Sequence, residues 1–250
     1  GVIMSKKLFV LTTLLLVSMC AVFAFQFSPL EETFQPSGEN AQKTYTIVND
    51  SDDQIAISLS VLQRDQDSEG NEVRSDASSE FLISPSKIIV NPQSTYVVRV
   101  QYRGSSVVTV EKAYRLMAEQ VPYSLGKSQT TQSMFNFLYV YATSLYVTPS
   151  ETKVQIDISS IKARIDSEGN KVMDVTIRNR GNVHQILLDA SLTVTDNKGN
   201  KVVLNQGEQL SGIDATNILA RKTVTKTIAW PDQLPFVEGG SYSGSISYSD

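Results

Sequence analysis

One cysteine, one histidine and one tryptophan in 250 residues remove several kinds of chemistry at the outset. Cys20 lies inside the apolar run LFVLTTLLLVSMCAVFAF, so the rest of the chain has neither a disulfide framework nor a metal–thiolate site. A Ser/His/Asp triad would have to be built on His184, which sits in RNRGNVHQ between a turn and a strand, a setting that favours a structural role. Glycine-rich phosphate loops, nucleophile elbows and zinc-ligand spacings are missing, and DQDSEGNE (65–72) lacks the full calcium-loop spacing. The paired carboxylates Glu31/Glu32, Asp52/Asp53 and Asp65/Asp67 lie in turn-like, solvated segments. The expectation is a non-enzyme with no cofactor, no metal and no small-molecule substrate.

Only one long apolar run exists, and it is N-terminal. Lys6 and Lys7 precede it, and Val22 and Ala24 supply the small-residue pair of a cleavage site, so residues 1–24 read as an export signal. The run also reaches the lower length limit of a membrane span, but no basic stop-transfer cluster follows it. Met19 is bulky for the position before a lipidated cysteine, which argues against a lipoprotein signal at Cys20. Removing Lys6 and Lys7 leaves 20 basic against 26 acidic side chains, a net charge of −6, the wrong sign for a nucleic-acid binder.

Helical periodicity is also missing. From Phe25 onward, β-branched and aromatic runs are broken by turn clusters about every ten residues, an all-β pattern. Strands are predicted over 43–49, 54–64, 95–103 and 113–121, and again over 154–165, 171–179, 185–196, 201–205, 221–230 and 241–249. The turns NDSDD, DSEGNE, NPQS and DNKGN separate them. SEGNK recurs with one change at 68–72 and 167–171 between unrelated flanks, which is convergent turn chemistry rather than a repeat. The length suits two β-sandwiches in series, residues 25–149 and 150–250, after the signal at 1–24.

The most informative stretch is MFNFLYVYATSLYVTP (134–149). It has a strand's period of two but is apolar on both faces: Phe135, Phe137, Tyr139, Tyr141, Leu145 and Val147 on one, Met134, Leu138, Val140, Ala142 and Tyr146 on the other. No helical pattern is available to cover a second face. A strand offering a spare apolar row at a sheet edge is an aggregation hazard unless lending that row is its purpose.

These residues resemble the periplasmic chaperones of pilus and fimbria assembly. FLISPSKIIVNPQSTYVVRVQYR (81–103) is similar to that family's proline-punctuated segment, with Pro85, Pro92 and Arg99 at its marks. EKAYRLMAEQVP (111–122) resembles its next strand, TIVND (46–50) its early strand ending in asparagine, and RNRGNVHQILLDASL (178–192) its second-domain strand pair. The resemblance implies an all-β fold of two immunoglobulin-like β-sandwich domains in an L-shaped arrangement, exported to the periplasm. It further implies pilin or fimbrial subunits as partners, with an outer-membrane usher as a further partner, and donation of the 134–148 strand to an incomplete subunit. The client-binding row then falls on Phe135, Phe137, Tyr139 and Tyr141.

Two departures from the family pattern follow. The positions of the family's basic cleft pair hold Glu31 and Ser144, so either Arg115 or Arg99 is expected to anchor the client's terminal carboxylate instead, or the client is held without that anchor. Thr148 replaces an arginine before Pro149, which leaves Glu111 without its usual interdomain partner. The alternative reading is an exported two-domain adhesion or scaffold protein of the same fold without a client cycle.

Overall fold

The computed structural model describes residues 25–122, 138–205 and 207–249; the expected export signal and Phe135 and Phe137 lie outside them. The first sandwich is built from β1 (Gln26–Ser28), β2 (Glu31–Phe34), β3 (Gln42–Asn49), β4 (Ile55–Gln66), β5 (Glu72–Asp76), β6 (Phe81–Ser84), β7 (Lys87–Val90), β8 (Ser94–Tyr102), β9 (Lys112–Val121) and β10 (Val140–Val147). The second comprises β11 (Ile156–Ile165), β12 (Lys171–Asn179), β13 (Gln185–Ile186), β14 (Leu188–Thr195), β15 (Lys201–Asn205), β16 (Asn217–Ile218), β17 (Thr223–Ala229) and β18 (Ser241–Ser249). The helical pieces among the described residues are two 3-10 turns, Glu39–Ala41 and Glu208–Leu210.

In the first sandwich one sheet runs β1-β3-β8-β6 and the other β2-β10-β9-β4-β5, with β7 also on β4. The period-two pattern does the sorting: Tyr45 and Ile47 of β3 and Val98, Val100 and Tyr102 of β8 face inward. They meet Leu59 and Val61 of β4, Tyr114, Leu116 and Ala118 of β9, and Leu145 and Val147 of β10. The second sandwich is a six-stranded array, β15-β14-β18-β11-β12-β17, with a separate β13–β16 ribbon. Its own core collects Ile161, Met173, Val175, Ile177, Leu192, Val194, Val224 and Trp230. The Trp230 indole N–H is satisfied by the carbonyl of Leu234 at 2.9 Å, which makes Trp230 a core residue.

The recurring turn chemistry has one geometry. Asp67, Asp166 and Asp196 each accept the backbone N–H groups two and four residues on, and the amide of Asn71, Asn170 or Asn200 closes the other carboxylate oxygen. Gly70, Gly169 and Gly199 take the left-handed position, with φ of 82°, 87° and 87°. These hydrogen bonds hold all three aspartates below the usual carboxylate range. The first of these turns joins β4 to β5, a strand that the run-and-turn pattern did not reveal.

Between the cores a small cluster of Ala113, Tyr146 and Leu219 is buried. Around it the sandwiches are tied by polar contacts. Gln66 bridges the Asn217 carbonyl and the Leu219 N–H at 2.7 and 2.8 Å, and the 67–71 turn reaches β17 through Ser68 O with Thr225 N–H (2.8 Å) and Glu69 O with Lys226 Nζ (2.6 Å).

Candidate functional site

β10 is held along its full length by β9, antiparallel from Val140 opposite Glu119 to Val147 opposite Lys112. On its other edge β2 runs parallel, but only from Ser144 opposite Glu31 to Val147 opposite Phe34. Among the described residues no strand pairs with that edge over Val140–Thr143. The edge therefore presents backbone donors and acceptors to an added strand.

The two faces of β10 have different fates. Leu145 and Val147 are wholly inside the first core. Tyr139 and Tyr141 continue the same row and pack against that core. The Tyr141 hydroxyl donates to the Phe25 carbonyl at 2.5 Å, and its ring meets Phe25 edge-on at 4.9 Å. At Tyr139 and Tyr141 the expected client-binding row therefore packs on the protein's own core, while Phe135 and Phe137 lie outside the described residues. Tyr141 is covered by Phe25 and Phe27, whose rings lie 4.9 and 6.1 Å from its own. On the opposite face Val140, 56% exposed, and Ala142 are open, whereas Tyr146 is sealed beneath the second sandwich.

The alternative cleft anchors also separate. Arg99 projects, exposed, from β8, opposite Thr44 and Ser84 in the sheet that does not contain β10. It is not brought to the cleft, because a one-dimensional strand pattern does not say which sheet a strand joins. Arg115 is brought there. On β9 it stands opposite Ser144, which itself stands opposite Glu31, and its Nη1 donates to Ser144 Oγ at 2.7 Å.

Three further residues complete this cluster. Glu72, at the start of β5, accepts Arg115 Nη2 and Nε at 2.6 and 3.0 Å; its carboxylate also pairs with Arg64 Nε at 2.9 Å and with Arg74 Nε. Arg64 and Arg74 are directly opposite across the β4–β5 hairpin. Arg64 Nη1 donates in addition to the Tyr146 hydroxyl, which also accepts from the Asn217 amide. Partial burial pushes the Glu72 carboxyl up, but hydrogen bonds from Arg115 and Arg74 and the charges of Arg115 and Arg64 win, holding it at about 2. The hairpin register was available in the sequence: centring the turn on 67–71 sets Arg64 against Arg74. Only the fold adds Arg115.

Glu111 does have an interdomain partner, contrary to expectation. Its side chain, 3% exposed, accepts the His184 backbone N–H at 2.9 Å, lies 2.6 Å from His184 Nδ1 and takes the Thr148 hydroxyl at 3.0 Å. The His184 ring stacks on Tyr146 with centroids 3.8 Å apart. The lone histidine is thus a brace between the sandwiches. Among the described residues no group of three or more His, Cys, Asp or Glu is placed to hold a metal ion.

Residues 34–153 match the family profile described as pili and flagellar-assembly chaperone, PapD N-terminal domain. No curated protein matches the chain. Solved structures share the fold at low identity. The CsuC–CsuE chaperone–tip adhesion subunit pre-assembly complex of Acinetobacter baumannii aligns at a TM-score of 0.58 and 14% identity, over 84% of this chain and 89% of the matched one. The class 5 fimbriae chaperone CfaA aligns at 0.54 and 14%, over 91% and 99%. A complex of SafA pilin with the SafB chaperone from Salmonella enterica aligns at 0.50 and 14%, over 91% and 97%. The profile match thus places residues 34–153, most of the first sandwich, with the PapD N-terminal domains of pili and flagellar-assembly chaperones, and the fold shared with the solved structures extends through the second sandwich.

Proposed function

We propose that this protein is a non-enzymatic periplasmic chaperone of pilus assembly that binds pilin-like subunits by lending them the strand ending in β10. The observation that carries this reading is the edge of β10 that no strand among the described residues pairs with over Val140–Thr143, beside a sequence that continues apolar in both rows upstream of it. An added strand gains main-chain hydrogen bonds along that edge, which are indifferent to side-chain identity. Specificity comes from side chains entering pockets of the subunit, each worth about 1.5–3 kcal/mol when fully buried. Phe135 and Phe137 are the proposed client row, with Tyr139 at the junction and Tyr141 belonging to the chaperone's own core. Arg115, supported by Arg64, is the proposed anchor for the subunit's terminal carboxylate, where a planar guanidinium accepts a carboxylate in two parallel hydrogen bonds. Transfer to an outer-membrane usher completes the proposed cycle.

The test is co-expression with candidate pilin-like subunits, small secreted proteins taken from the same genome. The chaperone should retain one of them in an equimolar complex. Phe137→Asp should abolish retention while leaving the circular dichroism and melting of the chaperone unchanged, because an unpaired charge in an apolar groove costs several kcal/mol. Normal retention by the folded variant would rule out strand donation.

A further inference from the structure

The cleft holds more positive charge than its internal partner neutralises. Arg64, Arg74 and Arg115 share the one carboxylate of Glu72, so the ion-paired cluster carries a net positive charge. The side chains of Arg64 and Arg115 are only 9% and 18% exposed, so solvent does little to relieve the mutual repulsion of these guanidinium groups. Glu31, opposite Ser144, and Asp76, opposite Leu62, share this face of the sheet, yet neither forms an ion pair with the arginines. Arg115 is largely engaged: it is bidentate to Glu72 and bonded to Ser144, while Arg64 is ion-paired to Glu72 and donates to Tyr146. A second carboxylate arriving here must therefore compete with Glu72 for Arg115.

Glu72, with Arg74, stands on the least supported element of the cluster. Arg64 and Arg115 stand on β4 and β9, each paired on both sides, whereas β5 is a five-residue strand that among the described residues pairs with β4 alone. The turn before it is fastened to β17 of the second sandwich through Ser68 and Glu69.

We infer that Glu72 is an internal stand-in for the client's carboxylate: in the empty chaperone it pairs with Arg64 and holds Arg115 in place beside Ser144, and an incoming carboxylate takes its place. This rests on the strand-lending reading above, and it adds that the protein sets its own affinity for a carboxylate terminus through one competing side chain. No covalent step is involved. One carboxylate replaces another on the same guanidinium groups.

The test uses the full mature chain and a 14-residue peptide with valine at alternate positions, made with a free C-terminal carboxylate and as the C-terminal amide. The wild type should bind the acid a few-fold more tightly than the amide. Glu72→Gln should widen that ratio about tenfold, the size of one charge-assisted contact freed from competition, and Arg115→Gln should collapse it to one. A ratio that falls in Glu72→Gln makes Glu72 a positioning group only and overturns the inference, as does a ratio that does not change. Failure of both peptides to bind counts against strand lending instead. In that case acetate decides: millimolar acetate should shift the Nε–Hε resonances of Arg115 and Arg64 in the wild type, and more strongly in Glu72→Gln, while chloride at equal ionic strength should not. No shift in either protein overturns the inference without recourse to a variant's stability.

Discussion

The two sandwiches solve the same packing problem with different strand counts beside the corresponding edge. In the first, β10 lies between β9 and the parallel β2, and its inward Leu145 and Val147 are wholly buried. In the second, β18 is paired with β14 along its length but meets β11 only at Ile161 opposite Tyr242 and Lys162 opposite Ser241. Where those two strands touch, Ile161 and Ala163 are sealed. Where they part, Ile156 and Ile158 of β11 and Ile246 of β18 stay half-buried although they pack on the core. The same alternating pattern thus gives complete burial or partial burial according to whether a strand occupies the flank. Shared features are equally instructive. Asn49 and Asn179 end β3 and β12, both 1% exposed, and each amide ties down carbonyls of neighbouring loops: Asp53, Val90 and Asn91 for the first, Val183 and Ile218 for the second.

The largest effect should come from truncating apolar side chains on either side of this contrast. Leu145→Ala and Leu192→Ala each remove a wholly buried side chain and should cost about 2–5 kcal/mol, whereas Ile246→Ala, half-open already, should cost about half as much. Urea unfolding of the three variants measures this, and equal losses would show that the β11–β18 seam is closed in solution. The asparagine pair should behave alike. Asn49→Ala and Asn179→Ala each leave buried carbonyls unpaired and should cost about 1–3 kcal/mol apiece, located by hydrogen exchange in the first and second sandwich respectively. A much smaller loss for either would mean that water replaces that amide.

The smallest effect is the pH dependence. Glu72 is held near 2 in the folded state, below the ordinary glutamate value of about 4.3, so it binds fewer protons folded than unfolded. Its contribution is therefore fully present above about pH 5 and is lost as pH falls towards 2. The Asp67, Asp166 and Asp196 turns share the sign of this effect, being depressed too, but they are solvent-exposed, one in the first sandwich and two in the second. Chemical denaturation from pH 6 to pH 3 should show a shallower fall for Glu72→Gln than for the wild type. Identical slopes would mean that the arginines do not hold the carboxylate down.

Much of the fold was legible along the chain because its causes are local. Alternation placed Tyr45, Ile47, Val98 and Val100 on inward faces, and the D-x-x-G-N turns at 67–71, 166–170 and 196–200 follow from one aspartate reaching two amides over a left-handed glycine. The alternation within 138–149, with Leu145 and Val147 inward and Val140 and Ala142 outward, was equally readable. Less legible were β5, whose exposed residues carry no apolar alternation, and the boundary within the odd row, where Tyr141 turned out to be fastened to Phe25. The resemblance correctly directed attention to Glu111, yet its partner, His184, lies 73 residues away and is a residue type that the family pattern did not suggest.

What the sequence determined by itself was the period of each strand, the position of each turn and the sparse catalytic inventory, since all three depend on residues within a few positions of one another. Tertiary structure alone decided which sheet each strand joined. That choice sent Arg99 to an exposed face remote from β10 and brought Arg115 to Ser144, and it gathered Arg64, Arg74 and Arg115 around Glu72. The physical reason is that charge clusters are set by cross-strand register over long separations. Alternation constrains the face a side chain takes and not the neighbours it finds there.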